Sequence, residues 1–264
     1  MNVKRLLFVV LCSGIVMSAA EQFSLKTVVQ ATGSSVSQYL VALPHIAYGE
    51  AWRTQIVIAN TSAAAADITL YYYDSNGNPL SLAIGGVSSN NTAVTVAANG
   101  QVTIEPDWGG AETSAWVGLV YTNIGLKIQG IFLWHNPADP AGKYTQAVAP
   151  IVSQAGAMCI IPLPAGSSTM SMLYDQTGGY LSGYGFANTT NAATTLSLTF
   201  YDQNGAMVGV YSEPLPAFGH DSFLIGTKVP ALANTKGWMQ ISGQGIVPLG
   251  FRFKSDFTFT TWLP

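Results

Sequence analysis

The clearest structural signal is the segment IANTSAAAADITLYYYDSNG at residues 58–77, which returns as FANTTNAATTLSLTFYDQNG at residues 186–205. The two segments align without a gap at an offset of 128 residues, and ten of their twenty positions are identical. The match continues more loosely, with Gly100 opposite Gly219 and Trp116 opposite Trp238. Self-similarity of this kind indicates one structural unit written twice.

Within each copy the hydrophobic period is two residues. The apolar positions are Ile68, Leu70 and Tyr72 in the first copy and Leu196, Leu198 and Phe200 in the second. Hydroxyl-bearing residues stand between them, as half-buried antiparallel strands require. We therefore expect Tyr71, Tyr73 and Tyr201 on an outward face. Because Trp116 and Trp238 stand at matching places, we expect both to pack in a core.

Both copies end this strand on Asp-x-Asn-Gly, at residues 74–77 and 202–205. Asn-Gly is typical of tight hairpins because both residues tolerate positive φ angles. Short strands separated by such turns, without a helical period, predict an all-β protein. The expected architecture is two tandem antiparallel β-sandwich domains of immunoglobulin-like type after a signal peptide.

Residues 1–20 have the three parts of a secretory signal peptide: Lys4 and Arg5, an apolar run at 6–11, and small residues before a cut near Ala20. We expect a secreted, periplasmic or cell-surface protein. Lipidation at Cys12 is a weaker alternative, because Leu11 stands where a small residue is expected. Cleavage near Ala20 leaves only Cys159, so the mature chain forms no internal disulfide.

The rest of the chain divides on this basis into four segments. Residues 21–43 form an N-terminal arm or an edge strand, 44–150 the first sandwich, 151–159 a linker and 160–264 the second sandwich. No other stretch has the roughly 18 apolar residues of a membrane helix, so no transmembrane segment is expected.

The composition excludes several function classes. Only 9% of residues are charged, with ten basic against thirteen acidic ones, which argues against nucleic-acid binding. Hydrophobic residues make up 48% of the chain, which excludes a disordered protein. After loss of the signal peptide eight basic groups face thirteen acidic ones, a net charge of −5.

Neither a metal site nor a catalytic set is predicted. His45, His135 and His220 stand in dissimilar contexts, and a zinc site needs three or four converging ligands. We expect these histidines to lie at strand edges and to bond the backbone. The Asp-x-Asn-Gly turns lack the later oxygen ligands of a calcium loop. We therefore expect no cofactor, no bound metal and no catalytic residue.

One group of side chains in the first copy is a candidate ligand-binding site. It comprises Trp52, Trp108, Glu50, Glu105, Asp107 and Glu112. Glycoside hydrolysis uses a pair of carboxyl groups, and aromatic rings pack against sugars. The alternative interpretation is that these acids are solvated residues at the ends of the sandwich.

Two further stretches, LPHIAYGEAWRT at 43–54 and LPAFGHDSF at 215–223, accompany the Tyr-Asp-x-Asn-Gly turns. With these motifs the chain resembles a group of uncharacterised exported bacterial proteins built from paired β-sandwich modules. The resemblance covers nearly the whole mature chain. It implies the same fold and export and brings no catalytic residue with it.

These observations favour a non-enzymatic secreted protein that acts in extracellular binding, adhesion or surface structure. Its partner would be an extracellular glycan or another surface protein, since rigid sheets can hold variable loops and exposed edges. The alternative is a carbohydrate-binding module or glycan-active secreted protein that uses the acids and tryptophans of the first copy.

Overall fold

A computed structural model describes residues 29–31, 34–36, 39–49, 51–107, 110–123, 125–135, 144–150, 169–254 and 258–262. The predicted signal peptide at 1–20 and the predicted linker at 151–159 lie outside these residues, as do Cys12 and Cys159. The described chain is almost entirely β-strand, which confirms the predicted fold class.

The strands before residue 151 are β1 (Val29–Ala31), β2 (Ser34–Val36), β3 (Tyr39–Tyr48), β4 (Trp52–Asn60), β5 (Ala66–Tyr73), β6 (Leu82–Ile84), β7 (Val87–Ser89), β8 (Asn91–Val96), β9 (Gln101–Ile104), β10 (Thr113–Tyr121), β11 (Leu126–His135) and β12 (Tyr144–Pro150). The strands after it are β13 (Met170–Asp175), β14 (Leu181–Asn188), β15 (Thr194–Asp202), β16 (Met207–Leu215), β17 (His220–Leu224), β18 (Lys236–Ser242), β19 (Ile246–Phe253) and β20 (Phe259–Trp262). A short helix α1 (Ile225–Lys228) and a 3-10 turn (Pro230–Leu232) lie between β17 and β18.

These strands form two pairs of antiparallel four-stranded sheets. The first sheet pair has the orders β3-β10-β5-β8 and β12-β11-β4-β9, and the second has β13-β18-β15-β16 and β17-β14-β19-β20. If the strands are renumbered from β3 in the first pair and from β13 in the second, leaving out the small β6-β7 ribbon, both sheet pairs have the same strand order. The repeat in the sequence therefore corresponds to a repeat in topology. Strand β3 runs through residue 43, and the domain boundaries given above stay predictions.

The strand order adds detail that the sequence left open. In an immunoglobulin constant domain the first two strands share a sheet with the fourth and fifth, and the third, sixth and seventh form the other sheet. Here the first and fourth strands lie in the sheet of the third and sixth, and the seventh lies with the second and fifth, next to an eighth strand. The pairing of the second strand with the fifth, and of the third with the sixth, is the same as in that domain.

The predicted alternation is confirmed in both copies. The six apolar positions of β5 and β15 named above are buried, and in each sheet pair they belong to a hydrophobic core. The first core also contains Leu249, Phe251 and Phe259, which come from the second sheet pair. Apolar burial is therefore continuous from one sheet pair into the other, which couples their stability.

The Asp-x-Asn-Gly turns hold their shape through the aspartate. Asp74 Oδ1 accepts bonds from the backbone N–H of Asn76 and Asn78, at 2.9 and 2.8 Å. Asp202 Oδ1 accepts the equivalent bonds from Asn204 and Ala206 at 2.8 and 2.9 Å. Each turn has positive φ only at its glycine, 82° in both copies, so the positive φ expected for the asparagines was wrong. The carboxylate bonds supply the turn geometry instead.

Strand β14 shows how closely the sheet pairs approach each other. Its residues Tyr184 and Phe186 point into the second core, while Gly183, Gly185 and Ala187 lie on the opposite face. A Cβ atom on Gly185 would stand 2.5 Å from the Cβ atom of His45 in β3. Only glycine fits there, because two non-bonded carbon atoms need about 3.5 Å or more.

Candidate functional site

The six predicted site residues do not form one group among the described residues. Glu50 and Trp108 lie outside the residues that the structure describes. Glu105 follows β9 and forms an ion pair with Arg53 of β4. Its other carboxylate oxygen accepts a bond from Gln55 Nε2 at 2.9 Å. Glu105 thus ties two neighbouring strands together on the outer side of their sheet.

Asp107 fixes the turn of the β6-β7 ribbon. Its two carboxylate oxygens accept bonds from the backbone N–H groups of Gly85 and Gly86, each at 2.7 Å. Both glycines have positive φ, 60° and 80°, which aims consecutive N–H groups at one anion. The ribbon and the chain beyond β9 are held together by this carboxylate, which therefore has a structural role.

Trp52 and Glu112 are brought together at a cleft of about 330 Å³ between the two sheet pairs. The ring of Trp52 packs edge-on against Phe259 and Phe253, with ring centroids 5.4 and 6.3 Å apart. The cleft is also lined by Ser114 and Ser222, whose hydroxyl oxygens are 3.4 Å apart. Its volume lies at the lower end of the range for small-molecule sites.

A pair of histidines forms part of the same region. His45 Nδ1 and His220 Nε2 are 3.1 Å apart, and the two rings stack at a centroid distance of 5.2 Å. Burial lowers the pKa of His45 to about 4 and lowers the pKa of His220 well below its usual value. At neutral pH both rings are uncharged, so one nitrogen donates a hydrogen and the other accepts it.

This contact corrects the expectation that the histidines lie apart and bond the backbone. No local pattern could have revealed it, because the pair is separated by 175 residues and is formed by the packing of the two sheet pairs. The side chain of His135 lies outside the described set.

The outer face of the first sheet pair carries an aromatic pair that the second sheet pair covers. Tyr73 and Trp116 are opposite each other in β5 and β10, and their rings stack 4.8 Å apart. Phe218 stacks on Tyr73 at 5.3 Å, and Trp116 Nε1 donates to the backbone oxygen of Phe218 at 2.7 Å. The exposure expected for Tyr73 was therefore wrong: it points out of its own sheet, yet it is only 1% exposed.

The equivalent pair in the second sheet pair is not covered by any residue that the structure describes. Tyr201 and Trp238 are opposite each other in β15 and β18 and stack 4.3 Å apart, and both are partly exposed. Trp238 thus lies on an outer face, which corrects the expectation that it packs in the core. The strand register extends the pair into a row across the sheet, from Leu173 through Trp238 and Tyr201 to Met207.

We call this set the outer row. Its two ends are the most exposed: Leu173 is 63% and Met207 65% exposed, and Val210 beside it is 64% exposed. The exposure of Leu173, Met207 and Val210 was not predicted from the sequence. The alternation in MSMLYD at 170–175 nevertheless places Leu173 on the face opposite to Met172 and Tyr174. Large apolar side chains that are exposed and contiguous mark interaction surfaces, whereas scattered ones do not.

No model of a known protein family matches the chain, and no curated protein matches it. Among the described residues, no helix has the length and apolar character needed to cross a membrane. The same residues hold no group of three or more His, Cys, Asp or Glu side chains that could bind a metal ion.

Proposed function

We propose that this is an exported, non-enzymatic protein that acts in extracellular binding, adhesion or surface structure, and that its contact surface is the outer row. The observation that carries the proposal is the exposed line of Leu173, Trp238, Tyr201 and Met207 on a rigid sheet. Aromatic and methionine side chains are enriched in protein interfaces, and a sheet holds them without the entropy loss of ordering a loop.

The bonding of the acids in the first copy supports a binding role over a hydrolytic one. Glu105 is engaged by Arg53 and Gln55, and Asp107 by two backbone N–H groups. A carboxyl group that acts in glycoside hydrolysis needs a position beside the scissile bond. The oxygens of these two carboxylates instead bond a neighbouring strand and a ribbon turn, which suits a structural role.

The proposal is tested by measuring how fluorescently labelled protein binds to the surface of the cells that produce it. We expect saturable binding that falls at least about tenfold in a Leu173→Ser/Trp238→Ser variant, since loss of buried apolar anchors removes most binding energy. Val87→Ser is the matched control, because Val87 is 69% exposed and lies in the β6-β7 ribbon, away from the outer row. Equal binding by the unaltered protein, the double variant and the control would contradict the proposal.

Carbohydrate binding is the second candidate, and the cleft beside Trp52 favours it. An aromatic ring, the carboxylate of Glu112 and two serine hydroxyls surround a space large enough for a small polar ligand. A glycan array provides the test, with Glu112→Gln as the site variant and Asp67→Asn, at an exposed position, as its control. Glycan binding that is lost in Glu112→Gln and kept in Asp67→Asn would support this candidate. No binding to any glycan on the array would contradict it.

A further inference from the structure

The contact between the two sheet pairs has two sides, and each has a counterpart elsewhere in the chain. One side is the covered face, made of Tyr73, Trp116, Ser75 and Gly77. The other is the covering loop, residues 216–219. Besides the Phe218 contacts described above, His220 N donates to Ser75 O at 3.2 Å, and Gly77 lies directly against the carbonyl oxygen of Ala217.

The counterpart of the covered face is the open face, made of Tyr201, Trp238, Gln203 and Gly205. The aromatic stack and the turn are reproduced, with the same φ of 82° at both turn glycines. A Cβ atom on Gly205 would meet nothing within 4 Å. Of the described residues, none accepts a hydrogen bond from Trp238 Nε1. The open face therefore resembles the covered face in its stack and its turn, and no described part of the chain occupies it.

The counterpart of the covering loop is the segment 97–100. This segment leads into β9, and the covering loop leads into β17, which is the equivalent strand of the second copy. The two loops share their backbone conformation. Asn99 and Phe218 have φ values of 52° and 54°, and the N–H of the following glycine bonds back to Ala97 or Pro216 at 2.9 Å in both. Asn99 is exposed, whereas Phe218 is buried.

We infer that the open face of one molecule binds the 97–100 loop of a second copy of this chain, so that molecules associate head to tail. The covered face shows the occupant such a face takes, and the 97–100 loop has the same backbone form. The two surfaces differ, so the contact is heterologous, and a pair of molecules joined by it still has one free surface of each kind. The product is an open-ended row of molecules, and the inference deepens the proposed function because it rests on the same outer row.

Two differences make this contact weaker than the one inside the chain. Asn99 stands in the place of Phe218 and forms no aromatic stack, although its backbone oxygen is available to Trp238 Nε1. On the sheet behind the loop, Gln55 and Val57 stand in the positions of Gly183 and Gly185. Larger side chains keep the sheets further apart. Association therefore depends on protein concentration, while the internal contact does not.

The test is sedimentation of residues 21–264, which include every described residue, over a wide concentration range. The average mass should rise without a plateau at the dimer. Trp238→Ala should lower the association constant at least about tenfold, and Asn99→Phe should raise it about tenfold by adding an aromatic stack. Val87→Ser, the control, should behave like the unaltered chain. Ala98→Asp, in the exposed loop, should match Trp238→Ala without touching the core.

Mixing the two weakened variants separates this arrangement from one in which like surfaces meet. Trp238→Ala retains an intact loop and Ala98→Asp an intact open face, so the mixture should form one-to-one dimers that neither variant forms alone. A chain that stays monomeric even as Asn99→Phe, or variants that do not complement each other, would overturn the inference. If the protein is monomeric but still binds the cell surface, self-association is refuted and the proposed function is not.

Discussion

At the scale of single residues, two buried asparagines hold equivalent corners of the repeat. Asn188 Nδ2 donates to the carbonyl oxygens of Ala192 and Pro216 at 2.8 and 2.7 Å, and its Oδ1 accepts from Thr190 N and Oγ1. Asn60 makes the matching bonds with Ala64, Ala97 and Ser62. Both side chains are buried, so water cannot take over their hydrogen bonds if the asparagine is lost.

Replacing Asn188 by Ala leaves the N–H group of Thr190 without its partner and removes one of the two hydrogen bonds that Ala192 O and Pro216 O each accept. We expect the free energy of unfolding to fall by about 1–3 kcal/mol, the range for an unsatisfied buried polar group. Urea unfolding measures it, with Asn204→Ala as control, because the Asn204 side chain is exposed and its contact to Asp202 is 3.5 Å. Equal effects of the two changes would contradict the assigned role of the buried asparagine.

The histidine pair predicts how stability depends on pH. The pKa of His45 is lowered from 6.5 to about 4 by burial, so between these values the unfolded chain binds a proton that the folded chain does not. Stability is therefore complete above pH 6.5 and falls as the pH drops towards 4, by up to about 3 kcal/mol for this group. Urea unfolding from pH 7.5 to 4 should show this decline, and His45→Asn should flatten it. An unchanged slope in His45→Asn would show that other groups cause the decline.

At the scale of elements, the two Asp-x-Asn-Gly turns have the same backbone but different surroundings. Gly77 lies against Ala217 of the covering loop, whereas Gly205 is open. Gly205→Ala should lower stability by about 1–2 kcal/mol, the strain of a left-handed alanine. Gly77→Ala should lower it by about 1–3 kcal/mol more, because the added methyl group displaces the loop. Urea unfolding of dilute protein compares them, and equal losses would contradict the packing of the loop on this turn.

The strands themselves were predictable because their cause is local. Alternation in β5 and β15 places Ile68 and Leu196 inside regardless of what surrounds the sheet, and the carboxylate of Asp74 or Asp202 shapes its own turn. Tyr73 and Trp238 were misplaced for the opposite reason. Whether an outward side chain is covered depends on a surface that is more than a hundred residues away in the sequence.

The candidate site was harder to predict than the fold. Glu105 and Asp107 are close in sequence to Glu112, yet their partners are a neighbouring strand and a ribbon turn. Proximity along the chain does not reveal which acid is already bonded. The outer row was recoverable in part, since Leu173 breaks the expected polar character of an outward position.

At the scale of the whole molecule, the repeat produces two faces of one kind, and the part of the chain that the structure describes covers one of them. The intramolecular contact fixes the second sheet pair against the first, and the same geometry leaves Tyr201 and Trp238 open at the other end. A duplicated module that binds its own copy is therefore equipped to bind a further one. We propose that this self-recognition is the role of the outer row.

Hydrogen–deuterium exchange of dilute and concentrated protein tests this claim most directly. Amides of the covered turn at 75–77 should be protected at every concentration. Those of the open turn at 203–205 and of the loop at 97–100 should exchange fast in dilute protein and slow together as the concentration rises. Fast exchange at 203–205 and 97–100 under all conditions, or exchange at 75–77 as fast as at 203–205, would contradict it.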